Sequence, residues 1–424
     1  MRNAQLRGTR VSWVCVVICL LGWSVLAFAG AAMAQEKTFT EDVAFLQKVT
    51  KAVVLESGDA RVVVVPEYQG RVMTSTVGGK DDLSFGWLNY DLIQKGIDKT
   101  KKEHIYPFGG EERFWLGPEG GQYAIFFAPG TKFVLEDWFT PALIDTEPFE
   151  LKEQAADRAV FTRDFELQNY SGTKFKGNIE RTIRVLDSAG MERALRMAVP
   201  PGVRAVGYTS RNELKNTGQE AWKKETGLLS IWILGMYKPS AKTTVAIPFK
   251  SGPESELGPK VNDAYFDKVP AEKLVVKDDI LFFSGDGTTR GKIGISPKRS
   301  KAIAGSYDAA RKVLTLVSYR EPRGEVAGYV NSMWEQQKNP YGGDVLNSYN
   351  DGPPKPGAKP LGPFYELETS SPAAALQPGE SIRHTQRTFH FQGDEAALDA
   401  IAVPLLGVKV SEIAKGLPQP PAGK

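Results

Sequence analysis

Between Asn347 and Phe391 the chain leaves room for little besides short strands joined by turns. Pro353, Pro354, Pro356 and Pro360 deny helix to the loop after Asp351, because proline has no N–H to donate and its ring clashes with the preceding turn. Tyr365, Leu367 and Thr369 then alternate with Glu366 and Glu368, a period of two that predicts a strand. Its two carboxylates share one face and its apolar residues the other. Gln377-Pro378-Gly379-Glu380 reads as a turn with proline preset for its first corner, and Ile382 to Phe391 alternates again. The expected order is a wide polar loop holding Tyr349, Asn350 and Asp351, a short strand, a turn and a long closing strand.

This order resembles the last strands of the galactose mutarotase (aldose 1-epimerase) family: an aromatic-Asn-Asp-Gly loop (Tyr349 to Gly352), a strand carrying Leu-Glu-Thr (Leu367 to Thr369), a Pro-Gly-Glu turn (Pro378 to Glu380) and a closing strand rich in His, Thr and aromatics. The resemblance implies an all-β fold, the mutarotase-like β super-sandwich, mostly antiparallel with few short helices. It also implies a sugar site on one concave sheet, with Glu368 at the position of the catalytic base. Both family histidines are absent. Phe108 stands where the family has the His of its His-Gly-Gly segment, and Leu228 to Gly235 carries no Asn-His pair.

The rest of the chain agrees with many short strands. The 42 glycines and 27 prolines punctuate short apolar runs, a pattern of β domains rather than of a few long helices. Strands are expected at Arg61 to Pro66, Arg71 to Val77, Tyr123 to Phe127, Val134 to Phe139, Ala159 to Leu167, Ile179 to Leu186, Gly207 to Leu214, Leu228 to Gly235, Ile280 to Ser284 and Val313 to Tyr319. Thr40 to Val49 is the one early helix, and Asp394 to Ile401 and Ser411 to Lys415 are short late ones. No nucleotide-binding loop, zinc spacing or nucleophile elbow is present.

The N-terminus is tripartite: Arg2, Arg7 and Arg10, an apolar run from Val11 to Gly30, and Ala32-Met33-Ala34 as a cleavage site. Residues 1–34 are therefore expected to be a signal peptide, 35–410 a single β domain and 411–424 a tail, with the mature chain periplasmic or secreted. The apolar run is also long enough to stay as an uncleaved anchor, the one route by which a membrane would be a partner. Cys15 and Cys19 both lie in this segment, so the remainder has no disulfide framework and no Cys-based metal site. Its charge is 53 less the three arginines, that is 50 basic against 50 acidic residues, which gives nucleic acid no reason to bind. No cofactor is implied, and nothing fixes an oligomeric state.

A second stretch, His104 to Gln122, is broken by five glycines and two prolines yet carries His104, Glu111, Glu112, Arg113, Trp115 and Glu119. Aromatic rings cover the apolar faces of sugars, while carboxylates and Arg bond hydroxyls. Glu112 and Glu366 are candidates, beside Glu368, for an acid–base pair. His104, Glu111, Arg113, Trp115, Glu119, Asn331, Glu335, Asn350, Asp351 and Tyr365 are candidate sugar contacts. Trp232 reads as core, with a place facing the sugar as its alternative. Two functions stay open: a carbohydrate-active enzyme (epimerase, lyase or hydrolase), and a non-catalytic sugar-binding protein or accessory module of the same fold.

Overall fold

The structure is a computed structural model that describes residues 36–79, 82–98 and 100–418; the expected signal peptide and the last residues of the tail lie outside these. Among the described residues no helix is long and apolar enough to cross a membrane.

The architecture is mostly β and antiparallel. Ten strands form one sheet, in the order Leu274–Val276, Ile280–Ser284, Thr243–Pro248, Ile303–Asp308, Val313–Tyr319, Ser381–Gln392, Arg204–Asn216, Lys174–Val185, Arg158–Gln168, Glu150–Gln154. A second sheet has five strands: Gly291–Ile295, Leu346–Asn350, Tyr365–Ser370, Ser230–Tyr237 and Arg113–Gly117. A third, three-stranded sheet is made by Val53–Ser57, Ala60–Val65 and Arg71–Thr76.

Period-two alternation decides how the two large sheets meet. Phe114, Leu116, Ile231 and Ile233 of the five-stranded sheet pack with Phe161, Ile179, Ile183 and Val206 of the ten-stranded one. Further along, Ile293, Leu346, Tyr365 and Leu367 pack with Val245, Leu281, Phe283 and Val317. Each such side chain, fully buried, contributes about 1.5–3 kcal/mol relative to exposure. The ten-stranded sheet buries its other face under helices Ser188–Leu195, Glu395–Leu406 and Val410–Ala414, through Met191, Leu398, Ile401, Val410 and Ile413. The body therefore continues past residue 410, into the segment expected to be a tail. The other face of the five-stranded sheet holds the cavity described below.

Several expected elements differ. Tyr123 to Phe127, buried from Ala124 on, is not a strand; its one ladder pair is Phe127 with Trp138, because Gly120-Gly121 and Pro129-Gly130 turn the chain at both ends. Leu135–Asp137 is a single 3₁₀ turn, with Val134 and Leu135 exposed. Asn347 to Asn350, expected to be loop, is a strand paired on both sides. The early helix starts at Phe39 and is capped by Thr38, whose hydroxyl accepts from the Glu41 N–H while the Glu41 carboxylate accepts from the Thr38 N–H, a reciprocal cap.

Candidate functional site

Register places the site. Across the five-stranded sheet, Arg113 lies opposite Leu234, Leu234 opposite Glu368, Glu368 opposite Asn347, and Asn347 opposite Gly294. The next row of the same face runs Met236, Glu366, Tyr349, Lys292. Trp115 and Trp232 are paired in the row on the other side. All of these side chains emerge on the face away from the ten-stranded sheet, since a strand's neighbours alternate.

Over this face is a cavity of about 270 Å³. Arg113, Trp115, Trp232, Met236, Lys292 and Glu366 belong to its sheet wall, and loops close round it with His104, Glu119, Trp138, Arg290, Trp334 and Asp351. Four of the chain's eight tryptophans face it. Trp115 meets Trp232 edge-on, with ring centres 5.5 Å apart, and Trp138 stacks on Trp334 at 5.9 Å.

Two buried ion pairs organise the wall. Arg113 donates to Glu366 Oε1 at 2.8 Å and lies 4.1 Å over the Trp115 ring. Burial, with the Glu368 carboxylate beside it, pushes the Glu366 carboxyl up to about 8, against the opposing pull of Arg113 and Lys292. Lys292 donates to Glu368 Oε2 at 3.0 Å, and the Trp232 indole N–H donates to the same oxygen at 2.9 Å. Lys292 also sits 4.6 Å over the Trp232 ring. Glu368 has no exposed surface and is not part of the cavity lining. Lys292 and Trp232 stand in front of it. The carboxylate that meets the cavity from this strand is Glu366, one row along. Burial raises the carboxyls of Glu119 and Asp351 as well; Lys292 and the Trp334 side chain oppose this at Glu119, and the Gly362 N–H and Tyr349 hydroxyl at Asp351.

Several wall atoms are buried without a hydrogen-bond partner among the described residues: Arg113 Nε, Trp115 Nε1 and Trp138 Nε1. Buried polar atoms are ordinarily satisfied; Glu368 Oε1, behind this wall, is an unpartnered acceptor beside them. Among the described residues no group of three or more His, Cys, Asp or Glu side chains is placed to hold a metal ion.

Of the remaining candidates, His104 lies at the cavity, its Nδ1 hydrogen-bonded to the Trp138 carbonyl at 2.6 Å and its ring stacked on Phe139. Glu112 is elsewhere. It is fully buried between the sheets, accepting from Arg181 at 2.8 Å and Gln386 at 3.1 Å. Glu111 is likewise interior, against His390 Nε2 at 2.6 Å. Both precede the Arg113–Gly117 strand and enter the core instead of its wet face. Tyr365 is on the inner face of its strand, its hydroxyl paired with Ser306 at 2.8 Å; alternation from Glu366 requires this. Asn350 ties down the neighbouring loop through Asp286, Gly287 and Thr289. Asn331 shapes the turn before Trp334 by accepting from the Met333 N–H, and Glu335 points to solvent.

Lys292, Arg290, Trp138 and Trp334 are wall residues that sequence reasoning passed over, and Trp232, preferred as core, is another. Gly291–Ile295 carries little apolar content, and Trp232 sits in an otherwise apolar run. What brings them to the wall is the register, which pairs Lys292 with Tyr349 and Trp232 with Trp115 and leaves no mark in the sequence. Phe108, at the position of the missing family histidine, is fully buried and stacked 4.1 Å from Tyr68 in a separate core. The glycines after it are backbone requirements. Gly109 has φ +92°, and a Cβ there would lie 2.1 Å from the Trp87 carbonyl oxygen.

Among solved structures, the chain is similar to the Slr1438 protein of Synechocystis sp. (13% identity, 81% of this chain and 96% of that one, TM-score 0.47). It is similar also to a galactose mutarotase-like protein from Lactobacillus casei (11%, 80% and 99%, TM-score 0.43) and to a galactose mutarotase related enzyme from Lactobacillus acidophilus (10%, 81% and 97%, TM-score 0.40). No curated protein matches its sequence. Residues 37–417 match the model of the family of unknown function DUF6786, and the chain belongs to that family.

Proposed function

We propose that this protein binds a carbohydrate in the cavity over its five-stranded sheet, with Glu366 and Arg113 as the polar anchor and the tryptophans as the walls. The observation that carries this reading is the set of four tryptophans, Trp115, Trp138, Trp232 and Trp334, that line one cavity together with the Arg113–Glu366 pair. A cavity of about 270 Å³ suits a ligand the size of one sugar ring. Rings supply flat apolar surface to the sugar's C–H faces, and fixed donors take its oxygens.

Binding is favoured over mutarotase-type catalysis. The carboxylate at the family's base position, Glu368, is held behind Lys292 and Trp232. Its role in this reading is to neutralise Lys292 and to orient the Trp232 ring. One observation favours catalysis as a second reading: Glu366 faces the cavity with its carboxyl raised to about 8, so near neutral pH it can give a proton to a sugar oxygen. Glu366 would then be the general acid.

The test is tryptophan fluorescence during titration with a panel of monosaccharides and short glycans, since half of the tryptophans face the cavity. A saturable change that weakens in Glu366→Gln and in Trp115→Phe is expected. No change with any sugar in the panel would overturn the reading. We also propose that residues 1–34 are removed at Ala34 and that the body works outside the cytoplasm; N-terminal sequencing of protein from its native host that begins at Met1 or Arg2 would refute this.

A further inference from the structure

The cavity wall holds donors without partners. Arg113 Nε, Trp115 Nε1 and Trp138 Nε1 are donors without partners. Both oxygens of Asp351 are engaged, Oδ1 by the Tyr349 hydroxyl at 2.8 Å and Oδ2 by the Gly362 N–H at 2.9 Å. Glu368 is shut behind Lys292 and Trp232, Glu366 accepts from Arg113 at one oxygen, and Glu119 has Lys292 and the Trp334 side chain beside it.

Arg290 is a further donor in the wall. Its guanidinium lies 3.6 Å over the centre of the Phe266 ring, and both side chains line the cavity. Among the described residues no carboxylate or other acceptor takes a hydrogen bond from that guanidinium. Asp351 and Glu119 feel its charge, and Tyr349 does too, without accepting from it. Stacking on Phe266 leaves the guanidinium edge, with its fork of N–H groups, free for a planar acceptor. A carboxylate matches that fork with two parallel bonds. Lys359, exposed on the loop before Leu361, lines the same side of the cavity. A neutral sugar brings hydroxyls, each donor as well as acceptor. A carboxylate brings acceptors alone, and a charge to meet that of the guanidinium.

We propose that the ligand is an acidic sugar, a hexuronate or a glycan ending in one, whose carboxylate is received by Arg290 while its ring lies toward Trp115 and Trp232. This rests on the carbohydrate reading of the cavity and adds the class of sugar.

The experiment is calorimetric titration of the full chain at pH 6 and low salt with glucuronate, galacturonate, the two corresponding neutral hexoses and a hexose 6-phosphate, repeated with Arg290→Gln and Arg290→Lys. Thermal unfolding of each variant accompanies the titrations. A hexuronate is expected to bind about ten-fold or more tighter than its neutral hexose, the range for a charge-assisted hydrogen bond. That ratio should fall to near one in Arg290→Gln and be partly kept in Arg290→Lys. A neutral hexose that binds as tightly as the hexuronate overturns the proposal, as does a preference that survives Arg290→Gln in a folded protein. A 6-phosphate that outbinds both hexuronates overturns the carboxylate assignment. Tight binding of neutral sugars alone removes this inference and leaves the carbohydrate reading standing. No binding of any sugar removes both.

Discussion

Glu366 makes stability depend on pH in a direction opposite to that of most carboxylates. In the unfolded chain its carboxyl titrates near 4.5, and in the folded protein near 8. The folded state therefore holds a proton that the unfolded state has released throughout the window between those values. The sign follows directly. Below about pH 4.5 both states are protonated and the group is neutral in its effect. As pH rises through the window, stability falls by about 1.4 kcal/mol per pH unit, the value for one proton. Above about pH 8 the loss levels off, having reached on the order of 5 kcal/mol. Glu366→Gln keeps the shape and the hydrogen-bonding oxygen toward Arg113 and removes the titration. Urea unfolding followed by tryptophan fluorescence, at half-unit steps from pH 5 to pH 8.5, measures both proteins. Other raised groups, such as Asp145 at about 7, titrate in both and cancel in the difference. The stability of wild type relative to Glu366→Gln should decline steadily across that range. A difference that stays flat, or that moves in favour of wild type as pH rises, would refute the account of Glu366 as a buried carboxyl short of compensation.

Other substitutions separate the site from the core. Lys292→Met leaves the buried Glu368 with only the Trp232 N–H, and should cost about 3–5 kcal/mol in chemical denaturation; Lys292→Met combined with Glu368→Gln should recover part of that loss. Glu112→Gln strands the buried Arg181 charge and should destabilise by a similar amount, about 3–5 kcal/mol, with sugar affinity per folded molecule unchanged; loss of affinity beyond the unfolded fraction would return Glu112 to the site. Tyr365→Phe removes only the bond to Ser306 and should cost about 1 kcal/mol with no change in any glycan titration.

The sheet-forming segments were legible because alternation survives wherever one face is buried. Tyr365–Ser370 and Ser381–Gln392 show this, each within a residue or two of its expected ends. The pairing of Glu366 and Glu368 on one face was legible for the same reason. Which of the two meets the cavity was not. That is decided by Lys292, supplied by a strand 74 positions before Glu366 in the chain, whose Gly-Lys-Ile-Gly-Ile sequence has little periodic signal. From the sequence, His104 to Gln122 reads as one binding loop, Glu111 to Trp115 included. The chain instead crosses there from the interior into an edge strand, so Glu111 and Glu112 satisfy His390 and Arg181 in the core while Arg113 and Trp115 reach the wet face. Trp232 reads as core from composition because both faces of its strand are apolar; only the Glu368 carboxylate across the pair explains where its N–H goes.

The most direct test of the central claim is a crystal structure of the protein soaked with the sugar that titrates most tightly. The account predicts the sugar ring over Trp115 and Trp232, with ring or substituent oxygens within hydrogen-bonding distance of Arg113, Glu366 and Trp138, and Glu368 still behind Lys292. A sugar bound on any other surface, with the face of the five-stranded sheet untouched, would contradict it.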